Sequence, residues 1–529
     1  MAKKDSVTEA IQLESGKDDK PRHNEKVLFA TTINANDLHP LARKGHVDDA
    51  YDFLKNVSDQ EAAGVDLKRL RRRIDLHIMP IMFVLMGLQF LDKFLLNYAI
   101  IMGLPEDLKL KGNELNNVAS SLWWAYLVAS AAVGLVLNKV PLGKWLGVSM
   151  FLWGIIIALT AAVKNYAGMM VIRIFMGVFD AGIPPALMLL SSQYYRKDEQ
   201  MIRYAYWFSS IGICLILGGL ISYGFQFVHT VTLEGWRIMF LALGLLSVCV
   251  GMWTFFCLPD TPMNAKFLTD VEKKAILQHV AINQTTISSR KIEWSQLKCI
   301  FSDVQVWLLV MNVVFVSAGS GILGTYGSML ITSFGYTSKQ AALLNTPGGA
   351  IAFIFTILAA LAVRHHILHR WAVSIIGYCL SLLGACMVAF APRDNKGVML
   401  AGIYMVAFSV PTVAIKYQWV SANVGGYTKR TCTMAIMSGA FSIGNIIAPY
   451  AVQPTDAPEF RIAKIVLVST KSVATAVIGF LALYYLWANR RRDRLYGKLP
   501  SVDETAEEYG ELWKNETDKE KEKTFRYVY

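Results

Sequence analysis

The chain has 529 residues, of which 54% are hydrophobic and only 17% charged, with a formal net charge of +12. Ordinary soluble domains carry about 25% charged residues, so the composition argues against a water-soluble enzyme or binding module. The basic excess sits at the margins of long apolar runs, where it reads as membrane-anchoring charge and not as a nucleic-acid surface.

Residues 1–75 are polar, without sustained periodicity, and are expected to form a loose cytosolic tail. Their opening, MAKKDSVTEAIQLESGKDDK, has no apolar core, so no cleaved signal peptide is expected and the first span should insert as its own signal. Apolar segments follow at about 76–101, 115–137, 145–163, 166–190, 204–226, 237–258, 304–333, 340–363, 371–391, 398–421, 431–452 and 462–487. Each is long enough to cross a bilayer core as a helix. The expected fold is therefore an all-α membrane protein of twelve transmembrane helices in two six-helix bundles. The bundles cover 76–258 and 304–487, with a charged cytosolic loop at 259–303 between them and a polar cytosolic tail at 488–529.

Two weak internal echoes support related halves. Lys144-Trp145 matches Arg370-Trp371 at an offset of 226, and Arg203 matches Arg430 at 227. The short loops carry nearly equal numbers of Lys and Arg on the two sides, so orientation rests on the flanks LKRLRRR and RRRDR, which put both ends in the cytosol. The sequons at Asn56, Asn283 and Asn515 then fall inside the cell, unused. Seven cysteines without a CxxC suggest packing, not a disulfide frame.

The chemistry lies in charges within the apolar runs. Asp92 and Lys93 are the only charged residues between Leu76 and Ile101. A mid-bilayer charge costs about 2.5–3.5 kcal/mol on the lenient insertion scale and usually marks a pathway or a relay. Adjacent residues point about 100° apart on a helix, so each needs a partner elsewhere. The fourth span offers Arg173 and Asp180, seven apart on one face, with Gly177 between them for close packing. Ile183-Pro184-Pro185 should interrupt that helix. Asp92 and Arg173 both fall about 10–14 Å below the outer surface at 1.5 Å per residue, so they are expected to meet. Lys416 in the tenth span either lines the cavity or snorkels toward the cytosol, whereas Lys471, on one face with Lys464, reads as a snorkelling or packing lysine. Leaving Lys471 out, Lys93, Arg173 and Lys416 exceed Asp92 and Asp180 by one positive charge, which favours an anionic or zwitterionic cargo. Trp123, Trp124, Tyr126, Tyr326 and Trp419 are possible pocket aromatics, and Asn97, Asn312, Asn345, Gln418, Asn423 and Asn445 possible polar contacts. His365 and His369 stand four apart in RHHILHR, a metal-ligand spacing with no third ligand nearby. No metal, cofactor or nucleic acid is expected, and a monomer in the lipid bilayer is.

Several stretches resemble the major facilitator superfamily, and within it the anion:cation symporters of the fungal allantoate-permease type. They are LDKFLLNYAIIMGLPEDLKLKGNELN, GLVLNKVPLGKWLGVSMFLWG, RIFMGVFDAGIPPALMLLSSQYYRKDEQMIRYAYWFS, SANVGGYTKRT and SIGNIIAPYAVQPTDAP. The resemblance covers about residues 70–490. It implies proton-driven import of a small organic anion or vitamin across the plasma membrane by alternating access, the cargo being allantoate or ureidosuccinate, nicotinate, cysteine or a similar carboxylate. Lys93 stands where related carriers keep a base for the substrate carboxylate, and Asp180 where they keep an acid tied to proton coupling. Arg173 matches the arginine that opens the fourth-helix motif. On this reading substrate contacts fall to Lys93, Arg173, Lys416, Asn97, Trp124, Tyr326 and Gln418, and proton coupling to Asp180 and Asp92. Asn138 before Lys139 replaces the acid usual in that loop, and the fifth span lacks the antiporter Gly-Pro pair, which tilts toward symport. The competing readings are an exporter of drugs or metabolites, a thiamine-like vitamin permease and a nutrient receptor.

Overall fold

A computed structural model describes residues 64–137, 140–228, 233–284, 294–365, 367–392, 394–425, 427–497, 517–519 and 525–527, and every regular element among them is helical. α1 (Leu67–Ile101) starts two turns earlier than its apolar run, because Asp66 caps it by accepting from the backbone N–H groups of Lys68 and Arg69. α2 (Glu114–Leu137) and α3 (Leu142–Thr160) follow. α4 is broken into Tyr166–Asp180 and Ile183–Tyr194, as Pro184 and Pro185 require. α5 (Lys197–Phe225) and α6 (Gly235–Cys257) complete the first set of six. Helices Asp270–Gln284 and Trp294–Phe301 occupy the loop that leads to the second set.

That set opens with α7 (Val304–Ser333) and continues with α8 in two pieces, Ser338–Leu344 and Thr346–Arg364. α9 is Arg370–Phe390. α10 is broken as well: Lys396–Val406, a 3-10 turn Ala407–Ser409, then Thr412–Asn423 after Pro411. α11 (Tyr427–Tyr450) and α12 (Arg461–Tyr496) finish the bundle. Eleven spans carry an apolar window able to cross a bilayer, and the 24-residue α2 is the twelfth. The sequons at Asn56 and Asn515 and the pair Asn138-Lys139 lie outside the described residues.

The two sets repeat one packing scheme. α1 packs on α5 as α7 does on α11, α3 on α6 as α9 does on α12, and α2 on α4 as α8 does on α10. The breaks repeat as well, since Pro185 in α4 and Pro411 in α10 are 226 residues apart, the offset already seen in the sequence. Between apolar helices in lipid, small residues drive close contact. In the α3–α6 pair, Gly147 and Gly154 lie against Phe255 and Val248, and Gly244 and Gly251 lie against Ala158 and Phe151. The halves meet through α2–α11, α5–α8 and α1–α7.

At the end of the bundle away from the chain termini, hydrogen bonds sew the halves together. Tyr326 OH donates to Asn116 Oδ1, and Asn116 Nδ2 donates to the Val452 carbonyl at 3.1 Å. The Ser328 N–H donates to Asn97 Oδ1 at 2.9 Å, and Tyr450 OH to Asn117 Oδ1 at 2.9 Å. This far mouth is closed.

At the other end, parts of the C-terminal tail dock on the second bundle. Lys429 Nζ sits between Asp303 Oδ2 at 2.5 Å and Asp518 Oδ1 at 2.6 Å, all three buried. Asn489 exchanges two hydrogen bonds with the Tyr527 backbone, and Arg492 donates to the Asp518 carbonyl. The Tyr527 ring stacks on Tyr485 with centroids 4.9 Å apart.

Candidate functional site

The break in α4 builds the first half of the site. In a continuous helix the Asp180 carbonyl would accept from residue 184, but Pro184 has no N–H. Gln89 on α1 supplies the missing donor, Nε2 to the Asp180 carbonyl at 3.2 Å, and so fixes the break against α1. One turn along α1, Lys93 Nζ meets Asp180 Oδ2 at 2.8 Å. Asp180 is wholly buried and the Lys93 side chain is 12% exposed. The Lys93 ammonium also lies over the rings of Phe90 at 4.5 Å and Trp123 at 5.3 Å, a favourable cation–π arrangement.

The expected meeting of Asp92 and Arg173 also occurs. Arg173 NH1 stands 3.6 Å from Asp92 Oδ2, both side chains at most 2% exposed. That is too long for a direct hydrogen bond, so the contact is electrostatic. Gly177, one turn further along α4, lets that helix press on α2: a Cβ there would lie 2.2 Å from the Leu122 carbonyl oxygen. The four interior charges of the first bundle thus form two ion pairs and sum to zero.

The second bundle is unlike the first. Between Val304 and Trp487 its only acids are Asp394, Asp456 and Glu459, all in connecting loops. Lys416 on α10 is 1% exposed, its Nζ has no hydrogen-bond partner among the described residues, and it lies 5.6 Å from the centroid of Tyr378 on α9. Lys471 is not a snorkelling lysine. It is 1% exposed and donates to Ser320 Oγ on α7 and Ser409 Oγ on α10, both at 2.9 Å. The spacing that aligned it with Lys464 gave its face but not that this face turns inward. Counting it, the interior excess is two positive charges. A buried cation without a counter-ion costs several kcal/mol, which an anion entering the site would offset.

Other expected residues sort by position. Trp124 is 54% exposed, on a stripe with Val128 that leaves the bundle, so it does not line the site; its neighbour Trp123 does. Tyr326 and Asn97 are buried in the seam of the far mouth. Gln418 lies on α10, its side chain outside the described residues. Asn312 accepts from Tyr378 OH and donates to the Ala474 carbonyl, bracing α7 against α9 and α12.

The Major Facilitator Superfamily model matches residues 82–451 of this architecture. The chain belongs to the major facilitator superfamily. It is a multi-pass membrane transporter and not an enzyme, with twelve helices in two six-helix bundles. It is similar to the Thiamine pathway transporter THI73 of Saccharomyces cerevisiae, 32% identical over 80% of this chain and 81% of that one. The Allantoate permease of the same yeast is 29% identical over 87% of each chain. Among solved structures, the proton:xylose symporter XylE matches with a TM-score of 0.62 at 15% identity, covering 83% of this chain and 99% of that one, which is a likeness of fold. Sequence reading missed three parts of this transporter's site: Gln89, the inward face of Lys471, and the serines Ser320 and Ser409 that hold it. The total lack of acids in the second set of spans was the available sign.

Proposed function

We propose that this transporter is a proton-coupled symporter that imports a small organic anion or zwitterion across the plasma membrane, with both ends of the chain in the cytosol. The observation that carries the reading is the buried Lys93–Asp180 pair at 2.8 Å. While Asp180 is ionised it occupies Lys93. A proton arriving on Asp180 cancels the attraction, and the Lys93 ammonium turns to a cargo carboxylate instead. Proton and anion then enter together, because each removes the other's obstacle. Asp92 and Arg173 hold α1 against α4 so that this exchange occurs at a fixed place. With the termini cytosolic, the sewn far mouth is the outer one, and breaking its hydrogen bonds opens the site to the outside.

The allantoate permease among the relatives is named for an acid, which fits; the excess of two interior cations speaks against a cationic cargo. In proteoliposomes, Asp180→Asn should lose accumulation driven by an imposed pH gradient while counterflow exchange of cargo persists. Accumulation that still follows the gradient would refute the coupling role.

A further inference from the structure

We propose that Lys416 and Lys471 form a second anion subsite, so that the cargo is a dianion whose two anionic groups are held by opposite halves of the transporter. This rests on the reading of Lys93 as the first anion contact and adds the chemical class of the cargo.

Four observations converge. The two lysines come from different helices onto one cluster. Lys471 donates to Ser409 Oγ. Thr412, one turn further along α10, donates to the Ser409 carbonyl at 2.7 Å and to Tyr378 OH at 2.9 Å. Lys416, one turn beyond Thr412, lies over the Tyr378 ring. The α10 break at Ser409–Pro411 places this cluster where the α4 break places Asp180 in the other half.

Second, the cluster lacks a counter-charge. No Asp or Glu lies within any of the six spans α7 to α12 short of Asp493 at the end of α12, and the acids of the first bundle are already paired with Lys93 and Arg173. Third, Lys416 Nζ is buried with no hydrogen-bond partner among the described residues, so it has capacity for an acceptor that the chain itself does not supply. Fourth, the other groups are hydroxyls. Ser320 and Ser409 accept from Lys471; Ser409 Oγ donates its own proton to the Val406 carbonyl at 2.9 Å, while the Ser320 proton has only Ser409 Oγ at 3.4 Å and can turn to an anion beside the ammonium groups.

The flank of Lys93 reaches the second half at Phe441, a residue that packs on the buried cluster containing Tyr378. Trp123, which flanks Lys93, packs edge-on against Phe441 of α11 with ring centroids 5.5 Å apart. A cargo with an anionic group at each end would therefore engage both halves at once, and a monoanion only one.

The test uses the full chain in nanodiscs. Thermal shifts are measured with malonate, succinate, glutarate and adipate, each against the monocarboxylate of equal length. The wild type should prefer at least one dicarboxylate over its monocarboxylate by tenfold or more in apparent affinity. Lys416→Gln and Lys471→Gln should each abolish that preference while leaving monocarboxylate binding, and Lys464→Gln should leave both intact. Each lysine is also changed to Met, of similar length and uncharged. The variants at Lys416 and Lys471 remove a buried cation, so their unliganded melting temperatures should match or exceed the wild type, which separates loss of binding from loss of folding. A wild type without preference for any dicarboxylate, or Lys416 and Lys471 variants that keep the preference, overturns the subsite. Proton uptake by the same chain in sealed proteoliposomes separates the two readings. Monocarboxylates that carry protons inward without a dicarboxylate preference would sink the subsite and leave symport standing. A dicarboxylate preference without proton movement would do the reverse.

Discussion

Replacing Asp92 by Asn tests how much the transporter's framework depends on a single electrostatic contact. Asp92 and Arg173 are 3.6 Å apart, both at most 2% exposed, at a distance where no hydrogen bond contributes. With an effective dielectric of about 20, two unit charges at that separation attract by about 4.6 kcal/mol. Asp92→Asn keeps the shape of the side chain but leaves the guanidinium alone in an apolar interior, and the loss should be about 3–5 kcal/mol. Arg173→Gln should cost a similar amount by stranding the carboxylate. The double variant has neither charge and should recover to within about 1 kcal/mol of the wild type, because replacing a buried pair is often nearly neutral. A double-mutant cycle on unfolding in mixed micelles should therefore return a coupling energy of about 3 kcal/mol or more, where independent sites add within about 0.5 kcal/mol. Additive single losses would refute the reasoning: the two charges would then each be satisfied by something other than one another. Uptake by the double variant is a further readout. If Asp92 is only a brace, the double variant transports; if it also carries protons, it folds and does not.

Two other variants address the two ends of the bundle. Tyr326→Phe removes the hydroxyl that bonds Asn116 across the far mouth. One such bond is worth about 1 kcal/mol, so the mouth should open several-fold more often. A cysteine introduced by Gly324→Cys, whose Cβ would stand 3.9 Å from Phe94 across the seam, should then react faster with an impermeant maleimide; an unchanged rate would mean the seam is held elsewhere. Glu199, just before the membrane-spanning part of α5, is held below the usual carboxylate range: burial alone would raise it, but His279, the Arg196 N–H and Arg71 more than reverse that. A depressed carboxyl contributes stability above its unfolded value, near 4.3, and loses it as the pH falls through its folded value. Glu199→Gln should accordingly lower the melting temperature at pH 7, with the gap to the wild type closing below about pH 4; a gap independent of pH would mean the side chain acts by packing.

Much of this was legible because membranes simplify the code. Each span is an apolar run of sufficient length, and an acid or base within one has few reasons to be there. Depth along two helices was enough to bring Asp92 to Arg173, and the two prolines were enough to break α4. What stayed hidden depends on helix phase and on distant pairing. Trp123 and Trp124 are adjacent and chemically identical, and only the rotation of α2 decides which faces Lys93. Lys464 and Lys471 share a face of α12, and only the packing of α12 on α7 and α9 shows that the deeper one is enclosed. The asparagines are a similar case: Asn97 looked like a cargo contact, and it closes the far mouth because α7 presents the Ser328 N–H at the same height. The docking of Asp518 and Tyr527 could not be read, since both sit in a stretch of mixed charge without periodicity while their partners are on α7, α11 and α12.

That docking has a consequence for watching the molecule move. The partners of Asp518 and Tyr527, namely Gln305, Lys429, Asn489, Arg492 and Tyr485, all belong to the second bundle. The described part of the tail therefore travels with that bundle as ballast and does not tie one half to the other. A spin label at Lys519, which bonds the Ser302 carbonyl at 3.0 Å, would report the attitude of one half from a half-buried position. Paired with a label at Arg72 on the exposed start of α1, it forms a ruler whose length changes as the halves rock, without a probe inside the translocation path.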